Sequence, residues 1–299
     1  MRIFRNKSRC SSWQSVLLAQ SSATTYSHFT ATLLLLPFLL VMLAGFVYPL
    51  FKLVALSLPD LSFYHYIRIV DEPLYLAVLL STVAVAVAVM GAALLLGFPV
   101  AYAMTRLKGP LTTIVAACVI IPLWTSVLIR SYAWIVLLQR NGLINELLNS
   151  AGMISSPLKM IYTQGAVILA MTHVLLPFMI LPIYAALRAI PEHFVNAART
   201  LGSGPIHAFV RITVPLALPG IFAGCVMCFV LALGFYVTPA LVGGPGSLMM
   251  ATLIGQQTTV LLDWPFAAAL STVLLAFTLA VIILFRKTLA LSKGLTSGI

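Results

Sequence analysis

The stretch NAARTLGSGPIHAFVRITVPLALPGI, from Asn196 to Ile221, decides the fold because it lies between two long apolar runs. It contains two arginines, one histidine, three glycines and three prolines. The chain of 299 residues is 62% hydrophobic and 8% charged, whereas an average soluble domain is about 25% charged. We therefore expect a membrane protein in which this polar, sharply turned segment connects two spanning helices.

Six apolar runs are long enough to cross a membrane, which needs roughly 20 apolar residues. The expected spans are residues 33–57, 76–104, 111–138, 163–188, 215–241 and 264–286. Several contain proline, which membrane helices tolerate where neighbours satisfy the freed backbone groups. The prediction is an all-α membrane protein of six transmembrane helices. One domain covers residues 31–290, between tails at residues 1–30 and 291–299.

Charge is distributed unevenly across this topology. Twelve of the 17 basic residues fall on one side, and five of the six acids fall on the other. The twelve are Arg2, Arg5, Lys7, Arg9, Arg106, Lys108, Arg188, Arg199, Arg211, Arg286, Lys287 and Lys293. Basic residues near spans remain in the cytoplasm, so both termini are expected to be cytoplasmic. This distribution favours membrane lipid over nucleic acid as the partner of the net charge of +11.

The residue pattern of the cytoplasmic connection at about residues 190–219 predicts its secondary structure. Pro191 suits a first helical position, because its missing N–H would be unbonded there in any case. Phe194, Ala198 and Leu201 are spaced four and three apart and so share one face. The first part of the connection is therefore expected to be a short helix.

The second part of the connection is turned and then helical again. Gly202 is expected to end the first helix in the left-handed conformation. Pro205 can start a second short helix through Phe209, and Pro215 and Pro219 are expected to break the path before span five. The pattern predicts a rigid, partly apolar helix-turn-helix, which fits a docking surface better than a lipid-facing element.

This segment resembles the cytoplasmic loop motif of permease subunits of ATP-binding-cassette (ABC) importers, which reads E-A-A, three residues, G, nine residues, I-x-L-P. Here the motif is Asn196-Ala197-Ala198, Gly202 and Ile212–Pro215, with Asn196 replacing the usual glutamate and Val214 the usual leucine. The resemblance implies a type I importer core, with coupling helices in residues 190–219, the docking loop, that fit a groove on a cytoplasmic ATPase. The implied coupling residues are Asn196, Ala197, Ala198, Gly202, Pro205, Phe209 and Pro215.

Two further segments, Pro122–Asn145 and Leu233–Pro245, look like the branch associated with spermidine and putrescine uptake. The branch implies a bacterial inner-membrane permease for a polyamine. Its expected partners are a cytoplasmic ATPase dimer that binds ATP and Mg, a second permease that is a paralogue, and an extracytoplasmic solute-binding protein.

Motifs for catalysis are absent from the sequence. No G-x-x-x-x-G-K-[ST] occurs, so ATP hydrolysis is expected on a separate subunit and no cofactor is expected on this chain. No H-E-x-x-H, nucleophile elbow or clustered carboxylates support an enzyme or a metal site. Cys225 and Cys228 form a C-x-x-C within an apolar helix, where packing is the expected role.

Arg130 is the most informative charge, because it lies within the third apolar run. A charge there usually faces a protein interior or an aqueous cavity. One interpretation is that it lines the substrate pathway, with Tyr132 and Trp134 nearby. The alternatives are that Arg130 reaches the outer interface or caps backbone carbonyls. His173 in span four is expected to be a hydrogen-bonded packing residue.

Span five contains a polar, kinked site at Tyr236, Thr238 and Pro239. A broken helix in a bundle is a reasonable place for a pathway or gate, and packing is the alternative. We call Arg130, Tyr132, Trp134, Tyr236 and Thr238 the helix-break site.

The cargo and the transport class leave alternatives open. No span contains a clear interior Asp or Glu to bind a polycation. An amino acid, a phosphonate or another small anion is therefore the alternative cargo. An ion-coupled secondary transporter would need intramembrane acidic or histidine relays and usually internal repeats, and the sequence offers neither clearly.

Overall fold

The apolar runs form helices, and every regular element in residues 28–296 is helical. The computed structural model describes residues 28–296, with side chains for residues 32–285 except Asp60 and Glu192. The first seven α-helices are α1 (His28–Met42), α2 (Tyr48–Ser57), α3 (Tyr64–Asp71), α4 (Pro73–Arg106), α5 (Pro110–Trp124), α6 (Val127–Leu138) and α7 (Leu143–Ser150). The others are α8 (Gln164–Arg188), α9 (Glu192–Thr200), α10 (Pro205–Ala208), α11 (Val214–Leu233), α12 (Val237–Val242), α13 (Met250–Thr259) and α14 (Trp264–Thr296).

Short non-α elements join several of these helices. Two π-helical segments cover Leu43–Val47 and Phe209–Thr213, and two 3₁₀ turns cover Pro59–Leu61 and Pro245–Ser247. Of the predicted tails, residues 1–27 and 297–299 lie outside the described residues, and residues 291–296 continue α14.

Five described helical stretches are long and apolar enough to span a membrane. They are Thr32–Ser57, Pro73–Arg106, Gln164–Arg188, Pro205–Leu233 and Trp264–Phe285. The pair Pro110–Trp124 and Val127–Ser150 supplies a sixth span if the two are taken together, although the pair is bent by 104°. The six-span, all-α prediction is confirmed at this level.

The span expected at residues 111–138 is divided into two helices that meet at a sharp bend. Pro122 lies in the last turn of α5 and cannot donate a backbone hydrogen bond, which weakens the helix there. Thr125 and Ser126 then adopt extended backbone, with ψ angles of 144° and 136°. The chain restarts as α6 in a new direction, so the polar residues after the bend project from a separate short helix.

The expected break at Pro215 and Pro219 was wrong, because helix continues from Pro205 to Leu233. The π-helical segment Phe209–Thr213 ends two residues before Pro215. A π-turn changes which backbone N–H groups and carbonyls pair, so the helix can continue although proline donates no backbone hydrogen bond. Span five instead ends earlier than expected, at Leu233, and α12 forms after an interruption at residues 234–236.

The described residues fall into two compact units, 28–53 and 54–296. In the described part of the first, the amine of Lys52 lies 5.7 Å from the centre of the Tyr48 ring. In the second, α4, α8 and α11 form the main core. Two glycines of α11 let it approach α8 closely: a Cβ added to Gly220 would lie 2.6 Å from the carbonyl oxygen of Pro182, and one added to Gly224 would lie 2.8 Å from Sδ of Met179.

An arginine joins α3 to the start of α14 within the second unit. Arg68 Nε lies 3.1 Å from Glu72 Oε1, and its Nη1 lies 3.6 Å from Asp263 Oδ2. The guanidinium carbon stands 4.3 Å from the centre of the Phe266 ring. Burial acts to lower the pKa of Arg68, but the hydrogen bond and the neighbouring charges outweigh it and raise the pKa. This cluster ties the amphipathic α3 to the bundle.

Candidate functional site

The docking loop is built around a glycine turn. Gly202 has a φ of +83°, which confirms the predicted left-handed end of α9. The Ser203 N–H donates to the Ala198 carbonyl at 3.0 Å, and the Gly202 N–H donates to the Arg199 carbonyl at 3.0 Å. This pair of bonds is the Schellman arrangement, which satisfies helix-end carbonyls and requires the left-handed residue. The turn is therefore rigid although it is exposed.

The turn presents apolar side chains to the exterior. Leu201 is 88% exposed and Ile206, just beyond the turn, is 79% exposed. Asn196, Ala197 and Pro205 are exposed as well. Exposed apolar side chains with a polar rim are typical of protein-protein contact surfaces. The loop thus has the chemistry of a docking surface, although its ATPase contacts stay a prediction.

One of the predicted coupling residues, Phe209, holds the loop in place. The Phe209 ring centre lies 5.0 Å from that of Tyr102 and 6.0 Å from that of Phe98, both on α4. The neighbouring Ala208 is buried. Pro215 lies in the first turn of α11 and is exposed. Phe209 therefore anchors α10 to the bundle, and Pro215 belongs to the continuous span rather than to a separate coupling helix.

The helix-break site brings α6 and α12 together at one hydrogen bond. The hydroxyls of Ser131 and Thr238 lie 2.9 Å apart, and both side chains are fully buried. Ser131 lies in the second turn of α6, and Thr238 is the second residue of α12. Thr238 acts as a packing contact in this conformation, and its place in the substrate pathway stays a prediction.

Arg130 bridges the bend between α5 and α6. Its Nη2 donates to the Thr125 carbonyl at 3.4 Å, which is the carbonyl-capping role weighed above. Its Nε and Nη1 are buried and have no hydrogen-bond partner in the described structure. One guanidinium nitrogen, Nη2, therefore caps the bend, and the other two nitrogens are available to another group.

Trp134 lies one turn after Arg130 on α6, and it reaches α8. Its indole N–H donates to Nδ1 of His173 at 3.3 Å, and the ring centres are 5.8 Å apart with the planes near perpendicular. His173 is hydrogen-bonded as expected, but it is exposed rather than packed in the core. Arg130 precedes Trp134 by four residues and therefore lies on the same face of α6. The structure thus groups Arg130, Trp134 and His173.

The two tyrosines of the helix-break site lie elsewhere. Tyr132 is 57% exposed and follows Arg130 by two positions, a spacing that points to different faces of a helix. Tyr236 packs its ring over Gly255 of α13, where an added Cβ would lie 3.2 Å from the tyrosine hydroxyl. The five predicted residues therefore do not form one cluster.

The cysteines pack as the sequence predicted. Cys225 is 8% exposed and Cys228 is fully buried, with its thiol 3.5 Å from the Leu175 carbonyl. Within the described residues, no group of three His, Cys, Asp or Glu side chains could hold a metal ion.

The fold and the site together define a class of protein. A bundle of apolar helices with a rigid helix-turn-helix exposed beside it has the form of a transporter permease subunit. Residues 90–289 match the family model described as binding-protein-dependent transport system inner membrane component, and the chain belongs to this family. It is therefore a multi-pass inner-membrane transport subunit, and the resemblance stated from the docking loop is confirmed.

Individual relatives agree with the family. The chain is 35% identical over 230 residues to the spermidine/putrescine transport system permease protein PotB of Escherichia coli (strain K12), covering 77% of this chain and 83% of that protein. It is 35% identical over 243 residues to the inner membrane ABC transporter permease protein YdcU of the same organism, covering 77% of this chain and 74% of that protein.

A solved structure matches the fold. A chain of the bacterial alginate ABC transporter, solved in complex with an alginate pentasaccharide-bound periplasmic protein, has a TM-score of 0.70 and 17% identity. The match covers 91% of this chain and 95% of that chain. The type I importer permease fold expected from the sequence is thus confirmed.

Sequence reasoning missed two residues beside the helix-break site, Ser131 and Gly255, and the hydrogen-bond partner of His173. Ser131 stands in an apolar run, where a lone hydroxyl is a signal of an interhelical bond. His173 shares its helix with many apolar residues, and nothing local identifies Trp134 as its partner. Gly255 is revealed only by the ring that covers it.

Proposed function

We propose that this chain is the permease subunit of an ABC importer for a polyamine, spermidine or putrescine. The assignment of the cargo rests on the chain's 35% identity to the spermidine/putrescine permease PotB, over 83% of that protein. The exposed docking loop and the absence of a nucleotide-binding motif in the sequence support the division of labour with a separate ATPase.

The proposed complex has three other kinds of subunit. An ATPase dimer binds ATP and Mg and receives the exposed turn at Gly202. A second permease, a paralogue of this chain, completes the pathway. An extracytoplasmic solute-binding protein delivers the cargo. Recognition by that protein would explain why the spans need no carboxylate of their own.

Both termini are proposed to be cytoplasmic, supported by the basic residues that flank the docking-loop side of the spans. A reporter that is active only outside the cytoplasm, fused after Ile299, should stay inactive. A fusion within the connection at residues 243–249 should be active. Strong activity of the first fusion would overturn this topology.

A small anion is the second candidate cargo, and Arg130 favours it. Two of its guanidinium nitrogens are buried without a partner, and the five straight spans contain no Asp or Glu. A carboxylate or phosphonate could accept both nitrogens. A polyamine would rely on aromatic faces, where each cation–π contact contributes roughly 0.5–2 kcal/mol.

Uptake by the reconstituted complex decides between these cargoes. The chain, its ATPase, its paralogue and its binding protein are placed in vesicles, and ATP-dependent accumulation of labelled spermidine is measured. Unlabelled putrescine should compete, whereas an amino acid or a phosphonate should not. Accumulation of a labelled anion but not of spermidine would assign the second candidate.

A further inference from the structure

A cavity of about 420 Å³ opens where α4 and α8 meet the docking loop. Three arginines line it: Arg106 is the last residue of α4, Arg188 is the last residue of α8, and Arg199 lies on α9. A second cavity of about 280 Å³ shares Arg106 and Arg199. The larger volume lies within the range of about 300–1,000 Å³ that small-ligand sites occupy.

The described side chains that line the cavity include three arginines and no acid. Among the side chains that the structure describes, no carboxylate lines it, and none forms an ion pair with these arginines. Arg106 lies 5.2 Å from the centre of the Tyr102 ring, and Arg188 donates to the Tyr184 hydroxyl at 3.2 Å. The carbonyl ends of α4 and α8 each supply about half a negative charge, which only partly offsets the three guanidinium groups.

Membrane topology alone does not account for this convergence. Arg106 and Arg188 end two spans, where basic residues are common as anchors. Arg199 belongs to the docking loop instead, and it lines the same cavity as Arg106 and Arg188. Asn196 and Thr105 add neutral donors to the same wall, so the cavity collects donors from three separate elements.

We propose that this cavity binds the phosphate group of an anionic membrane lipid. Because Arg106 and Arg188 end apolar spans, the cavity lies at the level where lipid phosphates lie. Basic pockets between helices at the cytoplasmic surface bind such head groups, and guanidinium forks match phosphate oxygens. A bound phosphate links α9 to α4 and α8, so the lipid steadies the docking loop. The proposal does not depend on the cargo.

Retention of lipid by the purified complex tests the proposal. The full chain, with its partner subunits, is reconstituted in phosphatidylcholine nanodiscs with or without phosphatidylglycerol. It is then re-extracted, and the bound lipid is counted by mass spectrometry. Wild type should retain phosphatidylglycerol in preference to phosphatidylcholine. Arg199→Gln should weaken retention about fivefold, the usual effect of one basic residue at an anionic surface.

Matched variants separate the cavity from general surface charge. Arg211→Gln removes an exposed arginine from the same loop that lines neither cavity, so it should retain lipid as wild type does. Arg199→Lys keeps the charge and should retain most of the lipid. It is the control for a loss of lipid caused by misfolding at this position. Equal losses in Arg199→Gln and Arg211→Gln, or equal retention of both lipids by wild type, would overturn the proposal.

Three further arms identify the source of the negative charge. If inorganic phosphate displaces the lipid and stabilises the lipid-free complex, the same site takes free phosphate. If only Glu192→Gln binds phosphatidylglycerol, a carboxylate of the chain itself neutralises the cavity, and the proposal fails. If Arg199→Gln loses the ATPase and wild type holds no lipid, the cavity binds a carboxylate of that partner, and the proposal again fails.

Discussion

The docking loop and the helix-break site differ in where their structure comes from. The turn at Gly202 is closed by hydrogen bonds between residues at most five positions apart. The helix-break site is closed by Ser131 and Thr238, which are 107 positions apart, and by Trp134 and His173, which are 39 apart. A short sequence therefore specifies the loop, whereas the break site exists only once the bundle has packed.

The two regions should consequently fail in different ways. The loop depends on one backbone conformation and tolerates changes to its exposed side chains. The break site depends on side-chain donors and acceptors, several of them buried. Substitutions that alter backbone preference should harm the first region most, and substitutions that remove a polar group should harm the second.

The largest effect is expected from Gly202→Val. A β-branched residue at φ +83° costs about 1–2 kcal/mol, which changes the population of the formed turn about five- to thirtyfold. ATP-dependent uptake and co-purification of the ATPase should both fall by a similar factor. Gly204→Ala is the matched control, since Gly204 has a φ of −65° and open space around it.

This expectation separates docking from folding. The abundance of Gly202→Val in the membrane should stay near wild type, because the turn is exposed and the core does not include it. Normal uptake and normal ATPase recovery in that variant would show that the loop does not couple the two subunits.

The next largest effect is expected at Arg130. Arg130→Ala should reduce uptake per assembled complex roughly fivefold, since a hydrogen bond contributes about 1 kcal/mol and the bond to Thr125 is long, at 3.4 Å. Arg130→Lys keeps the charge but loses the planar fork. If charge alone matters, lysine restores uptake, and if the bond to Thr125 matters, it does not. Wild-type uptake and yield in both variants would show that Arg130 only reaches the membrane interface and has neither a pathway nor a structural role.

Local signals account for what the sequence predicted. Gly202, Pro205 and the apolar runs act within a few residues, so they specified a turn, a helix start and the spans. Pro122 was interpreted only as a proline that a membrane helix tolerates, and the 104° bend after it depends on how α6 packs against α12 and α8. Pro215 was misread because a π-turn, which no residue type marks, absorbs its missing bond.

A smaller effect is expected from the buried pair Ser131 and Thr238. Thr238→Val is nearly isosteric and leaves the Ser131 hydroxyl buried without its partner. Interhelical bonds in membranes contribute about 0.6 kcal/mol on average and at most about 1.7 kcal/mol. The variant should lose that amount of stability, measured by unfolding in detergent. Ser131→Ala with Thr238→Val should recover part of the loss, and purely additive effects would contradict the coupling.

The smallest effect is expected from Trp134→Phe. Phenylalanine keeps an aromatic edge for His173 but removes the indole N–H, whose bond is 3.3 Å long and exposed. An exposed bond exchanges with water, so stability should change by less than about 0.5 kcal/mol. Uptake should fall only if the indole or His173 contacts the cargo.

His173→Gln is the matched variant for that last distinction, because its amide can still accept from Trp134. If both variants keep wild-type uptake, the group formed by Arg130, Trp134 and His173 serves the packing of α6 against α8. If Trp134→Phe lowers uptake while His173→Gln does not, the indole itself meets the cargo, as a cation–π partner of a polyamine would. A loss in His173→Gln alone would favour an anion held jointly with Arg130. Trp134→Phe and His173→Gln, which should affect stability least, therefore discriminate most clearly between the two candidate cargoes.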